Sequence, residues 1–478
     1  MTDEIVVMTP TGCIGNRGIH RETFLRALDE RAPDVIAVDA GSLDPGPSYL
    51  GLGREHSPVR NIEWDLELLL THAVPRKIPI IIGSAGGSGA REHVDATVRM
   101  IRQIGQARNL RFKLAVIYAD VDPDWLERRA DQGRIEPVDH DGVLLKEVIR
   151  DSSVIVAMMG PEPIIAALDA GADVVVAGRA SDAAVIGAYA IRAGCDPALA
   201  LHLGDIIECG ESAAVELRPV LPGIEHNRIP MIGYVANDHV RIRPAHDGLA
   251  CTPQSCAAHS LYERSSVQET LLPGGVLDKS QSRFEQVDAW TTRLSGTRFL
   301  TTDPYTVLLE GVRFTGYRTV LIFGVRTPRF VMNASEILAQ ARERELSLFA
   351  DSGNIQINYH VYGRDGVLGQ FEFEKKPDVF ELGVVADVVA PTQQLAHDVA
   401  QDLRSRIAFW RYPGRQTTSG NIATPFSPSV IDAGAVYEMS VYHTVQLTHP
   451  TEIFAHRLED VGLVRQDRSG SENVGASR

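Results

Sequence analysis

The chain has 478 residues, 44% hydrophobic and 23% charged, with 62 acidic against 47 basic residues and a formal net charge of −15. At roughly 100–200 residues per domain this length holds several cores, and the composition excludes a collagen, a disordered chain and a disulfide scaffold. An acidic surface repels phosphodiester backbones, which sets nucleic acid aside as a partner.

Only six basic residues are lysine, at 77, 113, 146, 279, 375 and 376; the other 41 are arginine. Arginine suits carboxylate and phosphate recognition, although GC-rich codon usage gives the same excess. The five cysteines, at 13, 195, 209, 251 and 256, form no CxxC pair, so neither a disulfide framework nor a zinc ribbon is expected. The opening MTDEIVVMTP lacks the basic and long apolar regions of a signal peptide. Apolar runs such as 78–82 fall well short of the roughly 20 residues that span a bilayer. The expectation is a cytoplasmic protein that keeps away from membranes.

In chain order, six short β-branched runs (5–8, 35–38, 78–82, 112–117, 154–157 and 174–177) alternate with helical periodicity at about 20–31, 61–74, 91–108, 142–150 and 161–170. Such runs suit strands buried on both faces of a parallel sheet. The alternation predicts an α/β fold, a Rossmann-like doubly wound parallel sheet over 1–215, closed by helices at 181–192 and 197–211. A connecting α+β region follows at 216–315, with β-like runs at 284–287 and 306–314 and a helix after Cys251 that Thr252 caps. Beyond it come a strand (319–325), a helix (333–346) and a strand (355–362). The Asp365-Gly366 step then turns a hairpin into 367–373. A strand (382–389), a helix (392–410) and a strand (436–447) complete a ferredoxin-like α+β domain at 316–464. The tail, 465–478, is polar and expected to be disordered.

Ligands of a doubly wound sheet bind beyond the carboxyl ends of its strands, so the loops after the apolar runs hold the candidates. Thr9–Gly18 carries three glycines ahead of a helix, where the backbone at Thr11 and Gly12 approaches an anion. It matches neither GxGxxG nor the P-loop. Cys13 reads either as a nucleophile of lowered pKa or as a small buried thiol. The loop 39–51 offers Asp39, Ser42 and Asp44 for proton transfer, metal ligation or ribose binding, or for Asx-turns. The strongest local signal is 83–91, where Gly83, Ser84, Gly86, Gly87 and Ser88 form a nest of N–H donors. Close strand–helix packing explains the same glycines. Arg91 opposes the macrodipole of its helix, which suggests an anionic ligand.

Farther on, Asp122 before Pro123 reads as a helix N-cap, behind Asp120. In 178–182, Arg179 is placed to grip a carboxylate, Ser181 to bind substrate or cap the helix, and Asp182 to orient the arginine or act as a base. His202, Asp205 and Glu208 share a helix face without a standard zinc spacing. Packing or solvation is the favoured reading there, and no metal ligands are assigned. The segments 412–415 and 420–421 suit a cleft cap or a subunit interface.

The motifs DAGSLDPGPSYLG, IIGSAGGSGAR, ADVVVAGRASD with HLGDIIECG, and the late YPGR, SGN and PFSPS block resemble the acyclic terpene utilisation (AtuA-like) family. More narrowly, they resemble its long bacterial subfamily, over about residues 4–450. The resemblance implies catabolism of branched isoprenoid acids through CoA thioesters, a Rossmann-like domain followed by a ferredoxin-like one, and a small companion protein. It supplies motif positions but no catalytic set.

The leading functional expectation is a hydratase, dehydratase or other lyase acting on a carboxylic acid or acyl-CoA. Arg91, Arg179 and the 83–89 nest bind the carboxylate or the CoA phosphates. Asp39, Asp44 or Asp182 moves the proton, helped by Mg²⁺ if the aspartates converge; CoA enters only as part of the substrate. One alternative is thioester hydrolysis by Cys13 with His20 as its base. Another is a non-catalytic acyl-ligand or partner-binding subunit whose activity resides in the companion. A nicotinamide dehydrogenase is disfavoured without GxGxxG. Aromatics at 359, 362, 371 and 373 suit a homo-oligomer, and equally a sheet core.

Overall fold

The runs Val35–Asp39, Ile80–Gly83 and Val174–Ala177 are buried at every position, as strands covered on both faces must be. They come from a computed structural model that describes residues 4–16, 18–41, 43, 45–138, 142–217, 228–373, 379–415 and 419–462. The chain divides into two units, 1–311 with 440–478, and 312–439.

In the first unit five strands run parallel, in the spatial order Ile5–Thr9, Val35–Asp39, Ile80–Gly83, Val174–Ala177, Phe112–Ile117. Antiparallel strands extend both sides. Met231–Val235 pairs with Ile5–Thr9, and Val240–Pro244, Thr292–Ser295 and Arg283–Gln286 follow it; His456–Val461 pairs with Phe112–Ile117. The result is a mixed sheet of ten strands in an α/β protein with twelve α-helices among the described residues. Its core includes Met8, Phe24, Ile36, Leu69, Ile80, Val98 and Val174.

The purely parallel expectation needs two corrections. The sheet carries antiparallel strands, and the run Val154–Ala157 does not join it. Val174–Ala177 fills the place between Ile80–Gly83 and Phe112–Ile117, bonding to both. The 154–157 run instead pairs with the strand that begins at Tyr305. The amides of Val121, Ala157 and Met158 fix it, donating to Ile155, Ala119 and Leu308 carbonyls.

Helix starts follow local chemistry. Asp122 accepts from the Trp125 amide at 2.8 Å with Pro123 in the first turn, and Thr252 forms a capping box with Ser255. No helix among the described residues is long and apolar enough to cross a membrane.

In the second unit, Gln356–Tyr362 and the strand ending at Val325 flank Leu382–Ala390, both antiparallel to it. The helices Pro328–Leu348 and Gln393–Phe409 contribute Phe330, Leu403 and Ile407 to a core with Phe323 and Val384. The hairpin expected from Asp365-Gly366 is absent. Amides of Arg364, Asp365 and Gly366 all donate to the Val361 carbonyl, winding the chain into turns and a 3₁₀ segment at Gly369–Phe371. Val367, Phe371 and Phe373 are consequently exposed rather than strand-paired. The expectation for the tail falls outside the described residues.

Candidate active site

Three neighbouring strand ends build the site. Asp39 closes Val35–Asp39 opposite Gly83. The Ala40 amide donates to the Gly83 carbonyl at 3.0 Å and the Ser84 amide to the Gly178 carbonyl at 3.0 Å. Parallel strands aim their carboxyl ends the same way, so the loops after 39, 83 and 177 meet although far apart in sequence.

Asp39 is buried, with Oδ2 accepting from the Gly41 amide at 2.7 Å. The Asp182 carboxyl, on the first residue of the Asp182–Arg192 helix, lies close enough to act on it electrostatically, while Asp39 Oδ1 is buried with no hydrogen-bond partner among the described residues. Burial, then the neighbouring Asp182 charge, pushes the Asp39 carboxyl well above the ordinary carboxylate range; Arg179 and the Gly41 amide pull the other way without cancelling this. Two adjacent carboxyls in a buried site favour one shared proton.

Arg179 is buried beside them. Its Nε donates to Glu310 Oε2 at 2.6 Å, its Nη2 to Oε1 at 3.4 Å, and its Nη1 to Ser84 Oγ at 3.3 Å. Burial works against the cation, but Glu310, Asp182 and Asp39 outweigh it and raise the pKa of the guanidinium. A cavity of about 390 Å³ opens over this group. Arg179, Ser181, Asp182, Glu208, Arg264 and Glu310 line its polar side, and Met158, Leu271, Leu272, Val307 and Leu308 its apolar side. Glu208 is held well above its ordinary value by burial, then by Asp182 and Asp205. Arg264 donates to Asp205 and lies 3.9 Å from Glu208.

The other expected residues fall around this centre. Cys13 lies behind it, and burial, then Asp39 and Asp182, raises its thiol well above the ordinary value. That is the opposite of what activates a nucleophile. Thr11 is buried, and a side chain at Gly12 would meet the Cys209 carbonyl carbon at 2.8 Å. In the glycine-rich loop, amides of Ser84, Ala85, Gly87 and Gly89 donate to protein carbonyls. Its glycines allow close approach: a Cβ at Gly83, Gly86 or Gly87 would lie 2.2, 2.8 or 2.7 Å from Val185, His93 or His56. Ser88 is buried and its Oγ has no partner among the described residues. Arg91 stands apart, exposed, its guanidinium 3.9 Å over the Tyr118 ring, while Asp120 accepts from its amide at 3.2 Å. Ser42 and Asp44 lie outside the described residues.

His202, Asp205 and Glu208 do not form a metal site; His202 bonds Thr297 and Ser260, and Asp205 pairs with Arg264 and Lys279. Among the described residues no group of three or more His, Cys, Asp or Glu is arranged to hold a metal ion.

Sequence reasoning assigned no role to Glu310 or Arg264 and gave Glu208 none beyond the disfavoured metal reading. Glu310 leaves a signal, a lone carboxylate in the apolar run YTVLLEGV. Arg264 leaves none, since it sits in a polar loop among other charges.

A family model described as acyclic terpene utilisation family protein AtuA matches residues 12–441. No curated protein and no solved structure gives a significant match.

Proposed function

The chain belongs to the acyclic terpene utilisation AtuA family, and on that premise we propose that it adds or removes water beside the carbonyl of a branched, isoprenoid-type acid or its thioester. The observation that carries this reading is a cavity lined by both Asp182 and Glu208, with the buried Asp39 carboxyl electrostatically linked to Asp182.

In the dehydration direction, the Asp182 carboxylate takes the proton from the carbon next to the carbonyl. Glu208, whose hold on a proton burial and the neighbouring carboxylates strengthen, gives its proton to the departing hydroxyl on the following carbon. The C–O bond breaks, the C=C bond forms, and one water leaves; transfer of the proton from Asp182 to Glu208 restores the starting state. Asp39 touches no substrate and positions Asp182. Arg264 meets the developing negative charge on the carbonyl oxygen, and the wall from Met158 to Leu308 takes the branched chain. The finer architecture that accompanies this reading is a Rossmann-like parallel core with a ferredoxin-like second unit.

The test is turnover of 3-hydroxyacyl and enoyl substrates, as free acids and as CoA thioesters, followed by enoyl absorbance. Asp182→Asn and Glu208→Gln are expected to lower kcat by about 10²–10⁴-fold, with Cys13→Ser unaffected. Full activity in Asp182→Asn sinks the scheme. Ligand binding without turnover by the wild-type chain favours a binding subunit instead.

A further inference from the structure

The first unit holds a second groove, of about 450 Å³, that shares no lining residue with the carboxyl cavity. It lies along the helices Arg21–Arg31 and Val59–Ala73. Arg21, Arg108 and Arg228 line it together with the Trp64 indole. On a chain of net charge −15, three guanidiniums in one groove reverse the local sign.

The groove's own carboxylates leave one of the three, Arg21, without a partner. Glu67 pairs with Arg108. Asp65 faces inward, its Oδ2 accepting from the Gly15 amide at 2.8 Å and its Oδ1 from the Ile19 amide at 2.9 Å. Among the described residues Arg21 has no hydrogen-bond or ion-pair partner; Arg228 donates to the Gly18 carbonyl at 3.3 Å and, with the Asp65 carboxylate nearby but no ion pair formed, keeps donors for a ligand. Arg21 also opens its helix, where the dipole disfavours a cation and favours an anion. The field is felt nearby: burial, then Arg21 and Arg76, depress the pKa of His72, and burial, then Arg228, depress that of His20. Trp64 is 56% exposed, with the Arg60 guanidinium 4.3 Å from its ring centre. Forked cations bind phosphate, and an exposed indole offers a planar ring a stacking surface.

We propose that this groove binds the phosphates of a nucleoside diphosphate on Arg21 and Arg228, with its base against Trp64. The nucleotide is either free or the nucleotide end of a thioester carrier. The inference does not depend on the acid–base chemistry above, because its readout is binding.

The full chain is titrated at low salt with ADP, CoA, adenosine and pyrophosphate, by calorimetry and tryptophan fluorescence. ADP is expected to bind, quenching fluorescence, with adenosine at least about tenfold weaker. Arg21→Gln, at an exposed position, weakens ADP about tenfold and lowers the salt dependence of binding. Trp64→Leu weakens ADP but not pyrophosphate. CoA binding tighter than ADP assigns the site to a thioester carrier, and equal binding to a free nucleotide. Failure of both to bind, or ADP affinity unchanged in Arg21→Gln, overturns the proposal.

Discussion

Arg179 and Glu310 form a two-point ion pair, Nε on Oε2 at 2.6 Å and Nη2 on Oε1 at 3.4 Å, each side chain only 7% exposed. Removing one partner from such a pair strands a buried charge, at about 3–5 kcal/mol, whereas replacing both with apolar groups is far milder. Glu310→Leu is therefore expected to lower the urea midpoint sharply, and Arg179→Met with Glu310→Leu to recover much of the loss. A double-variant loss equal to the sum of the Glu310→Leu and Arg179→Met losses would show that the pair is not coupled.

The Asp39 carboxyl supplies a pH dependence of opposite sign to the usual carboxylate. Its folded-state pKa is raised above the ordinary 3.8, so the folded protein holds the proton more tightly than the unfolded chain. Its contribution is complete below the unfolded value and is lost as pH rises through the folded one. Asp39→Asn cannot ionise, and its urea midpoint should fall less than that of the wild type as pH is raised from 4 to 8. Parallel curves for the two proteins would refute the assignment.

The parts of the fold visible in sequence were those set by local pattern. Buried β-branched runs announced the parallel strands, and Asp122-Pro123 announced a helix start. Sheet membership is decided by which neighbour a run finds, and nothing local in Val154–Ala157 distinguishes it from Val174–Ala177. The same division holds at the site. Asp39, Arg179 and Asp182 follow apolar runs and were legible from strand-end position. Glu310 and Arg264 arrive from 131 and 85 positions beyond Arg179, carried there by pairings that one sequence does not encode locally. The Asp-Gly step misled because three amides converge on Val361, an outcome no dipeptide rule contains.

Gly89 fixes the approach of the glycine-rich loop to Arg179. Its φ is +69°, and a Cβ there would sit 2.2 Å from the Arg179 backbone nitrogen. Gly89→Ala combines backbone strain with overpacking, each about 1–3 kcal/mol. It should cost activity as well, by displacing Arg179. Gly133, at φ +65° with nothing within 4 Å of a built Cβ, provides the control. Gly133→Ala should lose only the backbone part, about 1–2 kcal/mol. Equal destabilisation of the two variants in urea would remove the packing argument.

His202 sets the acid limit of the first unit. The ring is fully buried, with Nδ1 at 2.6 Å from Thr297 Oγ1 and Nε2 at 2.8 Å from Ser260 Oγ. Burial pushes its pKa down from 6.5 to about 4; Asp205 opposes this more than Lys279 adds to it, without cancelling the effect of burial. A histidine depressed in the folded state binds its proton better when unfolded. Its contribution is complete above pH 6.5 and drains away as pH falls through the folded value, by up to about 3 kcal/mol. His202→Gln keeps polar atoms in the site but has no proton to take up. It should start less stable than the wild type at pH 7 and lose less as pH drops to 4.5. Urea midpoints at pH 7, 5.5 and 4.5 give both slopes, and a wild-type slope no steeper than the variant's over that interval would rule out His202 as the titrating group.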